Sequence, residues 1–252
     1  MLEVQDIHLS FDGVKALRGV SMRVTQGDLV AVIGPNGAGK TSLFNCVCGV
    51  YVPQSGQILL DSTSILGHAP SEISRAGVAR MFQNLAVFPQ MTVLENLMLG
   101  CHHNFETSWW QSIIWSKRSR DEEIRWRKVA EEVIEFLHLE SYRKTPCGIL
   151  PYGILKRVEL GRALCMQPKL LLLDEPAAGL NREETEDMAR YILDIKEELG
   201  ITQILVEHEL RMVLDLADQV VVLDFGEKIA DGTPAEVRTN PAVVEAYLGG
   251  AG

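Results

Sequence analysis

Short apolar runs alternate with stretches of helical period along this 252-residue chain. Residues 3–11 (EVQDIHLSF) alternate apolar and polar, the period of a strand. Residues 28–34 (DLVAVIG) and 169–176 (KLLLLDEP) are continuous apolar runs, the mark of strands buried on both faces. Residues 56–62, 77–83, 201–208 and 219–226 predict further strands. Helical spacing covers residues 40–50, 92 to about 138, 150–166, 182–199 and 209–216. In the second of these, Trp126, Val129, Val133 and Leu137 form one apolar stripe opposite charged residues. TPAEV (233–237) and NPAVVEAYL (240–248) begin like capped short helices. Strands alternating with helices predict an α/β fold with a mostly parallel sheet covered on both faces. The helical stretch from about 87 to 156 lies between two strand-rich halves and reads as an inserted lobe.

Composition narrows the class. Hydrophobic residues make up 46% and charged residues 23%, enough apolar material for one large domain. The net charge of −10 repels phosphate backbones, so nucleic acid is not an expected partner. Five cysteines, with no Cys-x-x-Cys, predict reduced and mostly buried thiols. No N-terminal signal pattern and no membrane-length apolar run is present, so a membrane role is expected to come through a protein partner. The tryptophans Trp109, Trp110 and Trp115 precede a basic cluster. They read either as a packed helix end or as a surface that docks a partner near a membrane.

The chemistry-bearing residues cluster at strand ends. Residues 34–41 (GPNGAGKT) match the Walker A pattern, with a strand before and a helix after. There Gly34, Pro35, Asn36, Gly37, Ala38 and Gly39 would curl backbone N–H groups around phosphates. Lys40 would reach the β- and γ-phosphates, Thr41 would place its hydroxyl on Mg²⁺, and Ser42 would assist at the α-phosphate. Residues 170–176 form the matching Walker B strand. Asp174 emerges at its carboxyl end, where open α/β sheets bind ligands, and would hold Mg²⁺. Glu175 is the candidate base that polarises the attacking water. Gln83, at the junction with the lobe, would touch Mg²⁺ or water and report γ-phosphate occupancy. His208, at the end of another strand, would contact the γ-phosphate. Phe11 reads equally well as an adenine-stacking ring and as core.

In chain order, Walker A at 34–41, Gln83, the helix-opening stretch at 150, Walker B at 170–175 and His208 resemble an ABC-type ATPase subunit over essentially the whole chain. AAGLNREET (177–185), VEHEL (206–210) and the tail NPAVVEAYLG (240–249) are similar, more narrowly, to LivG-type ATP-binding subunits of branched-chain amino acid importers. The resemblance implies a P-loop NTPase fold, with a RecA-like core at about 1–86 and 157–230 and a small antiparallel β region. It also implies a helical lobe at about 87–156 and a C-terminal tail at about 231–252. It implies ATP and Mg²⁺ as cofactors, and subunits that close head-to-tail in pairs. The partner would be a second, similar ATPase, with a homodimer as the alternative. The pair would sit at the cytoplasmic face of the inner membrane under two membrane-spanning permease subunits, fed indirectly by an extracytoplasmic solute-binding protein.

The resemblance also gives residues 150–154 (LPYGI) a role, as the signature segment that completes the partner's ATP site. Here the chain departs from the family's Leu-Ser-Gly-Gly-Gln. Leu150 and Gly153 persist, but Pro151 replaces a serine, Tyr152 a glycine and Ile154 a glutamine. Losing a charge-assisted hydrogen bond costs about 1.5–3 kcal/mol, so closure should weaken by roughly tenfold to a hundredfold. The site completed by this segment is expected to be slower than the chain's own. Residues 84–100, with Val87 among them, are the expected permease-docking groove. Two other functions fit the same motifs: a motor for another solute, such as urea or short amides, and a soluble non-transport ATPase. The acidic charge and the single ATPase unit argue against the second.

Overall fold

The computed structural model describes residues 1–83, 85–101, 117–208 and 210–248, excluding the side chains of 117–119, 210, 211 and 248. Trp109, Trp110 and Trp115 lie outside the described residues. In chain order, β1 (Leu2–Phe11) and β2 (Val14–Val24) precede β3 (Leu29–Ile33), which leads into α1 (Lys40–Val47). Next come β4 (Ser55–Leu60), β5 (Thr63–Ser64), α2 (Pro70–Arg75) and β6 (Val78–Met81). The helices α3 (Val93–Cys101), α4 (Lys117–Phe136) and α5 (Tyr152–Cys165) follow. Then β7 (Leu170–Asp174), α6 (Arg182–Glu197), β8 (Thr202–Val206), α7 (Leu210–Leu216) and β9 (Gln219–Asp224) alternate. The described chain ends with β10 (Glu227–Gly232), α8 (Pro234–Thr239) and α9 (Pro241–Leu248).

Two sheets result. The larger has the order β10–β9–β3–β8–β7–β6. Its strands are parallel except β10, which pairs antiparallel with β9. The smaller, β2–β1–β4–β5, is antiparallel. Alternation along the central strands assigns each side chain to a layer. Val30 and Val32 of β3, with Leu170 and Leu172 of β7, face a core shared with α1 and the smaller sheet. Leu171 and Leu173 face the opposite core with α3, α4, α5 and α6. Ala31 and Ile33 join a third cluster under the C-terminal helices. The smaller sheet keeps its apolar face through a bulge: Asp6, at φ 49°, lies where the β1 register shifts, so Val4 and Ile7 both point inward.

Four elements are not among those that the pattern predicts: β2, β5, α2 and β10. Arg18 and Arg23 interrupt the apolar rhythm of β2, and Gly19 adopts φ +75° within it. The expected border between lobe and core at residues 156 and 157 falls inside α5, which runs unbroken across it.

Candidate functional site

The Walker A segment is the turn between β3 and α1, at the carboxyl edge of the larger sheet. Gly39, the residue before α1, has φ +105°, and a Cβ there would lie 2.7 Å from the Ala16 carbonyl. Only glycine fits that approach. Gly226 pins the turn from outside, donating its N–H to the Ala38 carbonyl at 3.0 Å and accepting from Arg18 N–H at 2.8 Å. Lys40 is buried and donates through Nζ to the carbonyls of Gly34 (2.7 Å) and Pro35 (3.0 Å). Burial lowers its pKa, opposed by the charges of Glu175 and Asp174. Asn36, Gly37 and Thr41 are exposed, while Pro35 and Ser42 are half-buried. The first-turn N–H groups of α1 have no intrahelical partner and suit an anion.

Asp174, Glu175, Gln83 and His208 meet on the same edge. Asp174 ends β7 and is buried. Its Oδ2 accepts from Arg80 Nη2 at 2.5 Å, while Oδ1 is buried without a hydrogen-bond partner among the described residues. Glu175 follows with φ 50°, an uncommon conformation for a side-chain-bearing residue that clusters at functional sites. Its amide still donates to the Val206 carbonyl at 2.9 Å, which holds it against β8. Gln83 Nε2 donates to Glu175 Oε2 at 2.8 Å, and His208 Nε2 lies 2.7 Å from Glu175 Oε1. The Gln83 amide, expected at Mg²⁺ or water, and the His208 ring, expected at phosphate, therefore both rest on the Glu175 carboxylate in this structure. A carboxylate so held can accept a proton from water, and an imidazole beside it can carry one.

The donors suit a cation shared with phosphates. Mg²⁺ is usually held by one or two carboxylates together with substrate phosphates and several waters. The partnerless Asp174 Oδ1 and the exposed Thr41 hydroxyl are donors of that type. Among the described residues, no group of three His, Cys, Asp or Glu side chains could hold a metal by itself.

Phe11 is not a core residue. Its ring is 42% exposed and meets Tyr51 edge-on, with centroids 4.9 Å apart. An open cleft of about 800 Å³ beside Gly37 is lined by Val14, Lys15, Arg18 and Phe225, among others, but not by Phe11.

Residues 150–154 open α5. Pro151 is its N-cap residue and supplies no side-chain cap. Leu155 N–H donates to the Pro151 carbonyl at 3.1 Å, so the helix starts without the serine hydroxyl. Tyr152 is 41% exposed, and its hydroxyl donates to the Ala178 carbonyl at 3.2 Å. Gly153 is buried where a Cβ would lie 2.3 Å from Glu184 Oε1. Leu150 and Ile154 are half-buried against the lobe-side core.

Two site residues escape sequence reasoning. Arg80 pairs with Asp174 and donates to Asn45 Oδ1 at 2.7 Å, its guanidinium 4.9 Å from the Phe82 ring centroid. A charge inside the apolar strand 78–81 is the signal that could have found it. Glu207 is 4% exposed and accepts from the amides of Ala177 (2.9 Å) and His208 (3.1 Å). It thus fixes the backbone after Glu175 and at His208, while burial raises its pKa. Nothing in the sequence marks it.

Comparison with known proteins gives the family. Residues 17–178 match the ABC transporter family, and residues 227–252 match the branched-chain amino acid ATP-binding cassette transporter family. The chain is 39% identical to the high-affinity branched-chain amino acid transport ATP-binding protein BraF of Pseudomonas aeruginosa, over 99% of this chain and 98% of that one. It is 36% identical to LivG of Salmonella typhimurium, a protein of the same description, with the same coverage. A solved ATP-binding cassette of an ABC transporter in its ADP conformation superimposes with a TM-score of 0.86 at 35% identity, covering 99% of this chain and 98% of that one. A nucleotide-free cassette gives 0.85, also at 35% identity, over 98% of each chain. The chain belongs to the ABC transporter family, as an ATP-binding cassette of the branched-chain amino acid type.

Proposed function

We propose that this chain hydrolyses ATP to drive uptake of branched-chain amino acids through a membrane permease. One observation carries the reading: Glu175, Gln83 and His208 converge within hydrogen-bond distance on the sheet edge that also bears Lys40 and Asp174. In the proposed reaction Gly34 to Ser42 hold the phosphates, with Lys40 released from its own loop carbonyls to meet them. Thr41, Asp174 and Gln83 would hold Mg²⁺, which would offset charge on the phosphates, while Glu175 takes the proton of the attacking water and His208 steadies the γ-phosphate.

The assembly is proposed on the same footing. Two ATPase subunits close over ATP, and residues 150–154 of this chain complete the partner's site. The missing cap at Pro151 favours a different, better-furnished partner, so the chain's own site is the faster one. A related fold, a 22% identical cassette, has been solved as a dimer. No described helix is long and apolar enough to cross a membrane, so we place the chain peripherally, on the cytoplasmic face beneath two permease subunits. The lobe at about 87–156 is then the part that touches the permease. The match of residues 227–252 favours branched-chain amino acids over urea or short amides as cargo.

Uptake of labelled leucine, isoleucine, valine and urea in a strain lacking this chain tests the proposal. Wild-type protein should restore uptake of the three amino acids. Glu175→Gln should bind ATP yet restore less than about a hundredth of the uptake, a general-base loss of 10²–10⁴-fold. Restored urea uptake alone would reassign the cargo.

A further inference from the structure

The helix that begins with residues 150–154 carries three charged side chains that the site above does not use. Lys156 is fully buried and Glu159 is 4% exposed. Together with Arg162 they are spaced three residues apart, so they lie close along one side of α5. All three meet the backbone that leaves β6. Lys156 Nζ donates to the Gln83 carbonyl at 3.2 Å. Arg162 Nη1 donates to the Ala86 carbonyl, and its guanidinium lies 6.0 Å from the Phe88 ring centroid. Between them, the Glu159 carboxylate faces the N–H groups of Phe82 and Ala86, which ease its burial although neither closes a hydrogen bond. Lys156 lies 3.9 Å from Glu159.

Burying an ion pair gains little stability over apolar packing, because desolvation offsets the attraction. What this cluster adds is attachment: two cations of one helix each grip a carbonyl of the Gln83 loop. The same helix reaches the other side of Glu175 through the Tyr152 hydroxyl on the Ala178 carbonyl. It is also locked to α3, since a Cβ on Gly100 would lie 2.2 Å from the Arg162 carbonyl.

We propose that Lys156, Glu159 and Arg162 are positioning residues that fasten the loop carrying Gln83 to α5, so that movement of this helix is passed to the Gln83–Glu175 contact. The inference rests on the roles proposed above for Gln83 and Glu175.

Hydrogen exchange on the full-length chain, combined with steady-state ATPase kinetics, tests it. Lys156→Met keeps the side chain's length and apolar stem but removes the donor. Exchange of the Phe88 amide, which donates to Asn96 Oδ1 at 2.8 Å in the same loop, should accelerate about tenfold while amides of β3 and α1 stay unchanged. The kcat should fall about tenfold with KM for ATP within about twofold, the pattern of lost positioning rather than lost binding. Lys156→Arg, which keeps a cationic donor, should recover most of both. If Lys156→Met does not fold, Arg162→Met makes the same test by removing the donor to the Ala86 carbonyl. Unchanged loop exchange in a variant that folds and binds ATP would overturn the proposal, as would exchange that rises equally throughout the sheet. Gln83→Ala separates the two readings. If it leaves kcat intact, the role of Gln83 has failed. If it lowers kcat while Lys156→Met does not, the clamp has failed.

Discussion

Arg80 stands in an apolar strand, yet its side chain is only 8% exposed and bonds Asp174, itself 2% exposed. Removing one member of a buried pair leaves the other's charge uncompensated, at a cost of about 3–5 kcal/mol. Arg80→Met should therefore lower the urea-unfolding free energy by about that much, whereas an exposed pair such as Arg182–Glu186 contributes under about 1 kcal/mol. Glu159 gives a pH signature. Burial raises its pKa from 4.5 to about 7, partly offset by Lys156. The folded state then keeps this proton to higher pH than the unfolded chain does. The stability tied to the proton is complete below 4.5 and is lost as pH rises through about 7. Relative to Glu159→Gln, wild type should lose on the order of 3 kcal/mol between about pH 5 and about pH 8 in denaturant titrations. Parallel curves for the two proteins would mean that Glu159 is not buried as described. Lys40, Asp174 and Glu175 were legible in the sequence because their neighbours in the chain define their place. Arg80, Glu207 and Lys156 were not, because the groups that define them are 94, 30 and 73 residues away.

The helix termini carry the next level of specificity. α6 opens with a complete capping box, Asn181 accepting from Glu184 N–H while the Glu184 carboxylate accepts from Asn181 N–H. α5 opens on Pro151 with no such bond. Proline there is conformationally apt, at φ −58°, and it restricts the unfolded chain. Pro151→Ser would gain a cap worth about 0.5–2 kcal/mol and lose about 0.4–1 kcal/mol of unfolded-state restriction. Folding stability should therefore change by less than about 1 kcal/mol, whereas association should respond if this segment has the proposed signature role, because the added hydroxyl would lie at the helix N-terminus, where an anion is favoured. In the Glu175→Gln background, light scattering with ATP and Mg²⁺ should show a dimer at roughly tenfold lower concentration once Pro151→Ser is added. Equal midpoints would remove the signature role from this segment.

At the scale of the molecule, the three cores divide the labour. One joins α1 to both sheets and fixes the Walker A turn, and a second joins the lobe helices to the opposite face. Because that second core runs from Val93 and Leu97 to Leu171 and Leu173, α3 packs in one core with the strand that ends in Asp174. The exposed apolar side chains on the lobe side include Phe88 at 51% and Ile149 at 76%. Val87, by contrast, packs partly against the core. Phe88→Asp is thus the cleaner probe of permease docking. It should abolish co-purification of the permease while shifting stability by less than about 0.5 kcal/mol. Val87→Asp should add a folding defect of about 1–3 kcal/mol from burying an unpaired carboxylate. Permease that still co-purifies with Phe88→Asp would move the docking surface elsewhere.

By itself, the sequence determined the strand–helix alternation, the Walker A and Walker B segments and the acidic charge of the chain. Those are properties of neighbours along the chain: apolar runs, glycine spacing and composition. The tertiary structure decided which face each strand shows to which core, the pairing of β2 with β1, and the meeting of Gln83 and His208 on Glu175. It also decided that the Lys40 ammonium rests on its own loop and that α5 grips the loop carrying Gln83. Each of these joins groups whose energies depend on burial and direction, which no local pattern encodes.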